Sequence, residues 1–263
     1  MSVTPPRIEV RAAPVDPVVV EGGPLRVIVE LRVVTTAVRA QVASVLIPRL
    51  RSLGGVGVVA RSNGAPLATV LPAAPDPEWS PVRDLDSGEA RRGVVDLSPL
   101  VGGAGSGELS LRVVVATPLG RSASEELSLV VAPPNGPVAE ALQAAREELE
   151  PGQTWLDWVE QSPESALDRR PLAELGPLAL HALLRRWRRG PLRVAPEELD
   201  ALGPKLSPER LGFLAERAVA AGDRGELARR MAETLAVEPG LGWWMEDLRR
   251  GRTTWTGANH RHP

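Results

Sequence analysis

The sequence predicts an α+β protein whose two kinds of structure are segregated: an antiparallel β-sandwich over residues 1–132, then an all-α helical bundle over 138–250. Three observations carry this. Apolar residues recur with a period of two as far as Ala132. From Val138 onward the period is that of a helix, about 3.6. Between the two, Pro133-Pro134-Asn135-Gly136-Pro137 is a linker that a strand or a helix interior does not cross, because proline has no backbone donor. A length of 263 residues accommodates two such domains at roughly 100–200 residues each.

In the first half the clearest strand is Leu25 to Val34. Leu25, Val27, Val29, Leu31 and Val33 alternate there with Arg26, Ile28, Glu30, Arg32 and Val34, which puts five apolar residues on one face. Similar runs occur at Arg7 to Arg11, Pro17 to Val20, Val38 to Ile47, Val56 to Arg61, Leu67 to Leu71, Gly93 to Leu97, Leu109 to Ala116 and Leu127 to Val131. They are separated by Glu21-Gly22-Gly23-Pro24, Gly54-Gly55, Asn63-Gly64, Ser87-Gly88 and Gly102-Gly103, all turn sequences. Short strands in such number, with no helical period between them, imply a sandwich.

The segment Leu109 to Pro134, LSLRVVVATPLGRSASEELSLVVAPP, resembles the last two strands of a fibronectin type III or bacterial immunoglobulin-like domain, with Pro118 to Ser122 as their hairpin. It departs from the family pattern in having no early-strand tryptophan and no tyrosine corner near Leu109. The resemblance implies a domain that positions surfaces for other molecules.

In the second half, helices are expected at Val138 to Leu149, Trp155 to Gln161, Pro163 to Leu167, Pro177 to Arg189, Pro196 to Leu202, Pro208 to Ala221, Gly225 to Val237 and Leu241 to Arg250. Thr154, Ser162, Ser207 and Asp223 are the expected caps. The hairpin from Pro208 to Pro239 resembles a single tetratricopeptide repeat through Leu211, Leu214, Ala215 and Met231, without a second copy. Residues 251–263 read as a flexible tail.

Composition excludes several classes of chemistry. The chain has no cysteine, so disulfides, thiolate metal sites and cysteine nucleophiles have no raw material. Basic residues are 30 arginines and the single Lys205. Charge is balanced in both halves: 13 acidic and 13 basic residues up to 132, then 20 acidic and 18 basic, so neither half is a basic nucleic-acid module. Without a signal-like start or a long uncharged apolar run, a soluble cytoplasmic protein is expected, free of the membrane.

Motifs that invite a chemical reading give weak support to it. Gly102 to Gly107 is glycine-rich, but Glu108 stands where a dinucleotide loop needs glycine, and a strand follows instead of a helix. Asp84 to Glu89 is an oxygen-rich turn short of an EF-hand, and His260-Arg261-His262 lies in the tail. No cofactor or metal is expected. His181 falls on an apolar helix face and reads as a buried, hydrogen-bonded histidine. Glu197, Glu198 and Asp200 leave a carboxylate-only enzyme open.

The residues expected to meet a partner are Arg185, Arg188 and Arg189 around Trp187, and the adjacent Trp243 and Trp244, because arginine with tryptophan is an interface signature. Trp187 itself lies on the apolar stripe, and Trp155 and Trp158 share a helix face at i, i+3. The expected function is a non-catalytic protein-interaction adaptor or accessory subunit of a bacterial assembly. The alternative is a regulator of an enzyme, either a peptidase inhibitor or a proteolytically released effector.

Overall fold

The computed structural model describes residues 7–16, 18–34, 55–72, 90–117, 120–155, 158–159 and 165–188. Among the described residues the regular structure is mainly β-strand in antiparallel sheets, with two short helices. The strands are β1 (Arg7–Pro14), β2 (Val18–Val20), β3 (Arg26–Val34), β4 (Val56–Ser62), β5 (Ala65–Val70), β6 (Ala90–Asp96), β7 (Gly107–Thr117), β8 (Gly120–Ala123) and β9 (Leu127–Ala132). The helices are α1 (Gly136–Glu147) and α2 (Ala179–Arg188). Two compact units divide it: one holds the described residues up to Val131 except Val18–Pro24, and the other holds Val18–Pro24 with the chain from Ala132 onward.

In the first unit, β3 is the middle strand of β1-β3-β6. Its alternation works as the sequence implies, with Val27, Val29 and Leu31 fully buried. Its other face is not a solvent face, since Arg26, Ile28 and Glu30 are buried too. Such charges are tolerated in the interior only when they are bonded. Glu30 meets Arg32 at 3.4 Å. Arg26 stands opposite Asp96 in the β3–β6 register. Asp96 Oδ1 accepts from Ser98 N at 3.0 Å and from Ser98 Oγ at 2.6 Å, and Ser98 Oγ in turn accepts from Leu25 N at 2.7 Å.

The other sheet of this unit runs β9-β7-β4-β5, with β8 also on β7. Val58 and Val113 stand opposite one another in the β4–β7 register, and both are buried. The β4–β5 turn is Asn63-Gly64 with φ of 50° and 78°, the pair of positive angles that a two-residue hairpin with the native twist requires. Asn63 also clasps the start of β7: its Oδ1 accepts from Glu108 N at 2.9 Å and its Nδ2 donates to Ser106 O at 3.3 Å. Gly102 to Ser106 is loop, and the strand begins at Gly107. After β7 the chain returns along the same edge as β8 and then β9, with Thr117 opposite Gly120 and Leu111 opposite Leu127. The turn is thus tighter than Pro118 to Ser122, because Arg121 and Ser122 already belong to β8. Between β8 and β9 the ladder is mended by Ser124, whose N donates to Val113 O at 2.9 Å and whose Oγ accepts from Val113 N at 3.1 Å.

In the second unit, α1 begins inside the expected linker. Gly136 and Pro137 form its first turn, where proline's missing donor costs nothing because that donor would have no helical partner. Ala141, Leu142 and Ala145 are its buried stripe. The helix expected at Pro163 to Leu167, with its cap Ser162, lies partly outside the described residues; where the chain is described, Ala166–Arg169 is a 3₁₀ turn capped by Ser165. Two more 3₁₀ turns follow, Leu172–Glu174 and Gly176–Leu178, before α2. Prolines cause this fragmentation. Arg170, just before Pro171, is extended at φ −78°, ψ 143°, the conformation a following proline favours. Most of the expected helical bundle, from Arg189 on, lies outside the described residues. So do the strand at Val38 to Ile47 and the Asp84 to Glu89 turn.

Candidate functional site

A dense polar cluster lies in the second unit, where α2 brings Arg185 against the 3₁₀ turn at Ala166–Arg169. Ser165 builds the first part. In a reciprocal capping box, its Oγ accepts from Leu167 N at 3.1 Å, while its own N donates to Asp168 Oδ2 at 3.0 Å. That arrangement points Asp168 at α2. Arg185 Nε donates to Asp168 Oδ1 at 3.1 Å and Nη2 to Oδ2 at 3.3 Å, a two-pronged contact that only a guanidinium makes with a carboxylate. Arg185 Nη1 donates to the carbonyl of Trp158.

Trp158 forms the other wall. The Arg185 guanidinium carbon sits 4.3 Å from the centre of its ring, within the reach of a cation–π attraction. Trp155 meets it edge-on, with ring centres 5.6 Å apart and planes at 87°, as the i, i+3 spacing implied. Glu148, just past α1, joins the parts: Oε2 accepts from Trp158 Nε1 at 2.9 Å and Oε1 from Ser165 Oγ at 3.0 Å. Arg186 Nη2 donates to Leu167 O at 3.4 Å and to Arg170 O, so it closes the end of the same 3₁₀ turn.

The cluster is interior: Trp158 is 1% exposed and Arg185 2%. This corrects the reading of Arg185 as a partner-facing residue. Arg185 lies one turn after the buried His181 on the inward face of α2, and its charge is matched by Asp168. His181 is buried as expected. Arg188 is the last residue of α2, and its side chain lies outside the described residues, as do Arg189, Trp243 and Trp244.

Chemically, the arrangement is committed to holding the chain together. Ser165 has one hydroxyl proton, which goes to Glu148, and its oxygen is engaged by Leu167 N. Among the described residues no group of three His, Cys, Asp or Glu side chains is placed to hold a metal ion, and no helix is long and apolar enough to cross a membrane. Sequence reasoning missed Glu148, Ser165 and Asp168. The only local signal was Ser165 followed by Asp168 three residues later, a capping-box spacing hidden behind the Ser162-Pro163 start.

No family model and no curated protein matches the chain.

Elsewhere, β5 is the outlying strand of its sheet among the described residues, pairing with β4. Its sequence, Ala-Pro-Leu-Ala-Thr-Val, carries no charge. Val70 is 37% exposed and the next residue, Leu71, 51%. Protein edges are ordinarily blunted with lysines or other charges. Among the described residues this one has Pro66, which removes one donor, and a register shift where Ala60 pairs with Ala68 but Arg61 with Pro66.

Proposed function

We propose that the chain is a non-catalytic interaction protein of the cytoplasm, an adaptor or accessory subunit of a bacterial assembly. In this reading an immunoglobulin- or fibronectin-like sandwich presents a docking edge and a helical domain follows it. Two antiparallel sheets, with β1 close to β7 and β8, support the sandwich. The observation that carries the functional reading is the uncharged, exposed strand β5 with Val70 and Leu71 beside it. Such an edge offers backbone donors and acceptors to an extended segment of a protein partner, while alternate side chains give selectivity. The commitment of Glu148, Ser165, Asp168 and Arg185 to one another also favours a structural role for this cluster over a reaction centre. Arg188, Arg189, Trp243 and Trp244 are proposed as contacts of the second half.

The test is affinity capture with the full-length tagged chain from its source organism, beside Thr69→Lys and Leu71→Asp. Both changes put charge at the exposed edge. A protein retained by the parent and lost with both variants, at unchanged melting temperature, is the expected result. Equal capture by all three overturns the assignment of β5.

A further inference from the structure

The connection between β1 and β3 is longer than their pairing needs. The β1–β3 ladder ends with Pro14 opposite Val27, and Val15 N still donates to Arg26 O at 2.9 Å. A hairpin could close here in two to five residues. Instead the chain continues through Val18-Val19-Val20-Glu21-Gly22-Gly23-Pro24, and this segment groups with the second unit, not with the strands on either side of it.

Its contacts explain the grouping. Val19 and Val20 are buried, and β2 lies against the Gly176–Leu178 turn, which also meets α1. Glu21 N donates to Ala132 O at 2.9 Å. Gly23 N donates to Val20 O at 2.8 Å, closing a turn whose third residue, Gly22, has φ of 70°. Gly22 O accepts from Arg146 Nη2 at 2.9 Å, across 124 positions of sequence. Backbone angle favours glycine at Gly22, and closeness favours it at Gly23. A side chain at Gly22 would run into the Arg146 guanidinium, and a Cβ at Gly23 would lie 3.5 Å from Leu142 Cδ1 and 3.1 Å from Val20 O.

We propose that Val18–Pro24 is a strap that completes the second unit and makes the stability of α1 conditional on a segment from the N-terminal half. Leu142 and Arg146 lie one turn apart on α1, the first beside Gly23 and the second bonded to Gly22 O. Whatever pulls the strap away exposes the buried stripe of α1 together with Val19 and Val20.

Hydrogen exchange followed by mass spectrometry on the full chain tests this, comparing the parent with Leu142→Ala and with the milder Arg146→Ala. The amides of Glu21 and Gly23 report on the strap. If the strap belongs to α1, both variants speed exchange in residues 19–23 and in 136–147 together, by roughly tenfold for Leu142→Ala, and leave β1 and β3 unchanged. Gly23→Val approaches the same contact from the other side and speeds exchange in α1. The proposal is overturned if residues 19–23 keep their protection in the α1 variants, or if they lose it in step with β1 and β3. Should Leu142→Ala fail to fold, Arg146→Ala and Gly23→Val carry the same two outcomes.

Discussion

Strand β7 and the stretch from Ser165 to Leu178 solve the same problem by different means. The backbone of β7 finds partners along β4 on one side and along β8 and β9 on the other, so its donors and acceptors are matched by the ladder. Ser165 to Leu178 has no ladder and only single 3₁₀ turns. Side chains supply the missing bonds there: Ser165 and Asp168 cap the first turn, and Arg186 takes the carbonyls of Leu167 and Arg170. The contrast teaches where each region is vulnerable. In β7 the loss of one side chain removes apolar packing and leaves the backbone bonded. Around Ser165 the loss of one side chain leaves another polar group buried without its partner, which costs more per atom removed.

The largest effect is expected from Asp168→Ala. It leaves the Arg185 charge buried, and stability should fall by about 3–5 kcal/mol, as seen when one partner of a buried ion pair is removed. Chemical denaturation of the full chain measures it. Adding Arg185→Met to Asp168→Ala should recover a large part of the loss, because the stranded charge is then gone. No recovery would mean that the cation–π and carbonyl contacts of Arg185, and not its pairing with Asp168, are the main contribution.

A smaller effect is expected from Leu111→Ala in β7. The residue is buried opposite Leu127 of β9. Truncation should cost about 2–4 kcal/mol by lost transfer energy and residual cavity. Exchange protection of the β4–β7 amides should persist under native conditions, since the ladder is intact. If protection there collapses while total stability barely moves, the sheet depends on its side chains as much as the 3₁₀ region does.

Smallest is Ser165→Ala, worth about 1 kcal/mol for a lost cap. Ser165→Thr keeps the hydroxyl and should recover most of it, provided the added methyl fits. Equal loss in both variants would indicate that packing at this buried site outweighs the cap.

Much of the first unit was legible in the sequence. Period-two runs gave β1, β3, β4, β6, β7 and β9 within a few residues, because a strand with a buried face must alternate wherever it lies. Asn63-Gly64 was legible for a related reason, since few other pairs accept two positive φ angles in succession. The 3₁₀ turns were not. Prolines at 163, 171 and 177 look like helix starts, yet each also constrains the residue before it, and which effect prevails depends on what packs alongside.

The sequence by itself determined the antiparallel strands, the tight turn between β4 and β5 and the burial of His181, because these follow from local periodicity and backbone sterics. Tertiary contacts alone settle that Arg185 faces inward, that Ser165 caps the turn at Ala166–Arg169, and that Val18–Pro24 groups with the unit that begins at Ala132. The physical reason is the same in each case. An arginine, a serine or a run of valines has more than one satisfactory local environment, and the choice is made by partners distant in sequence: Asp168 for Arg185, Glu148 for Ser165, and Leu142 and Arg146 for the strap.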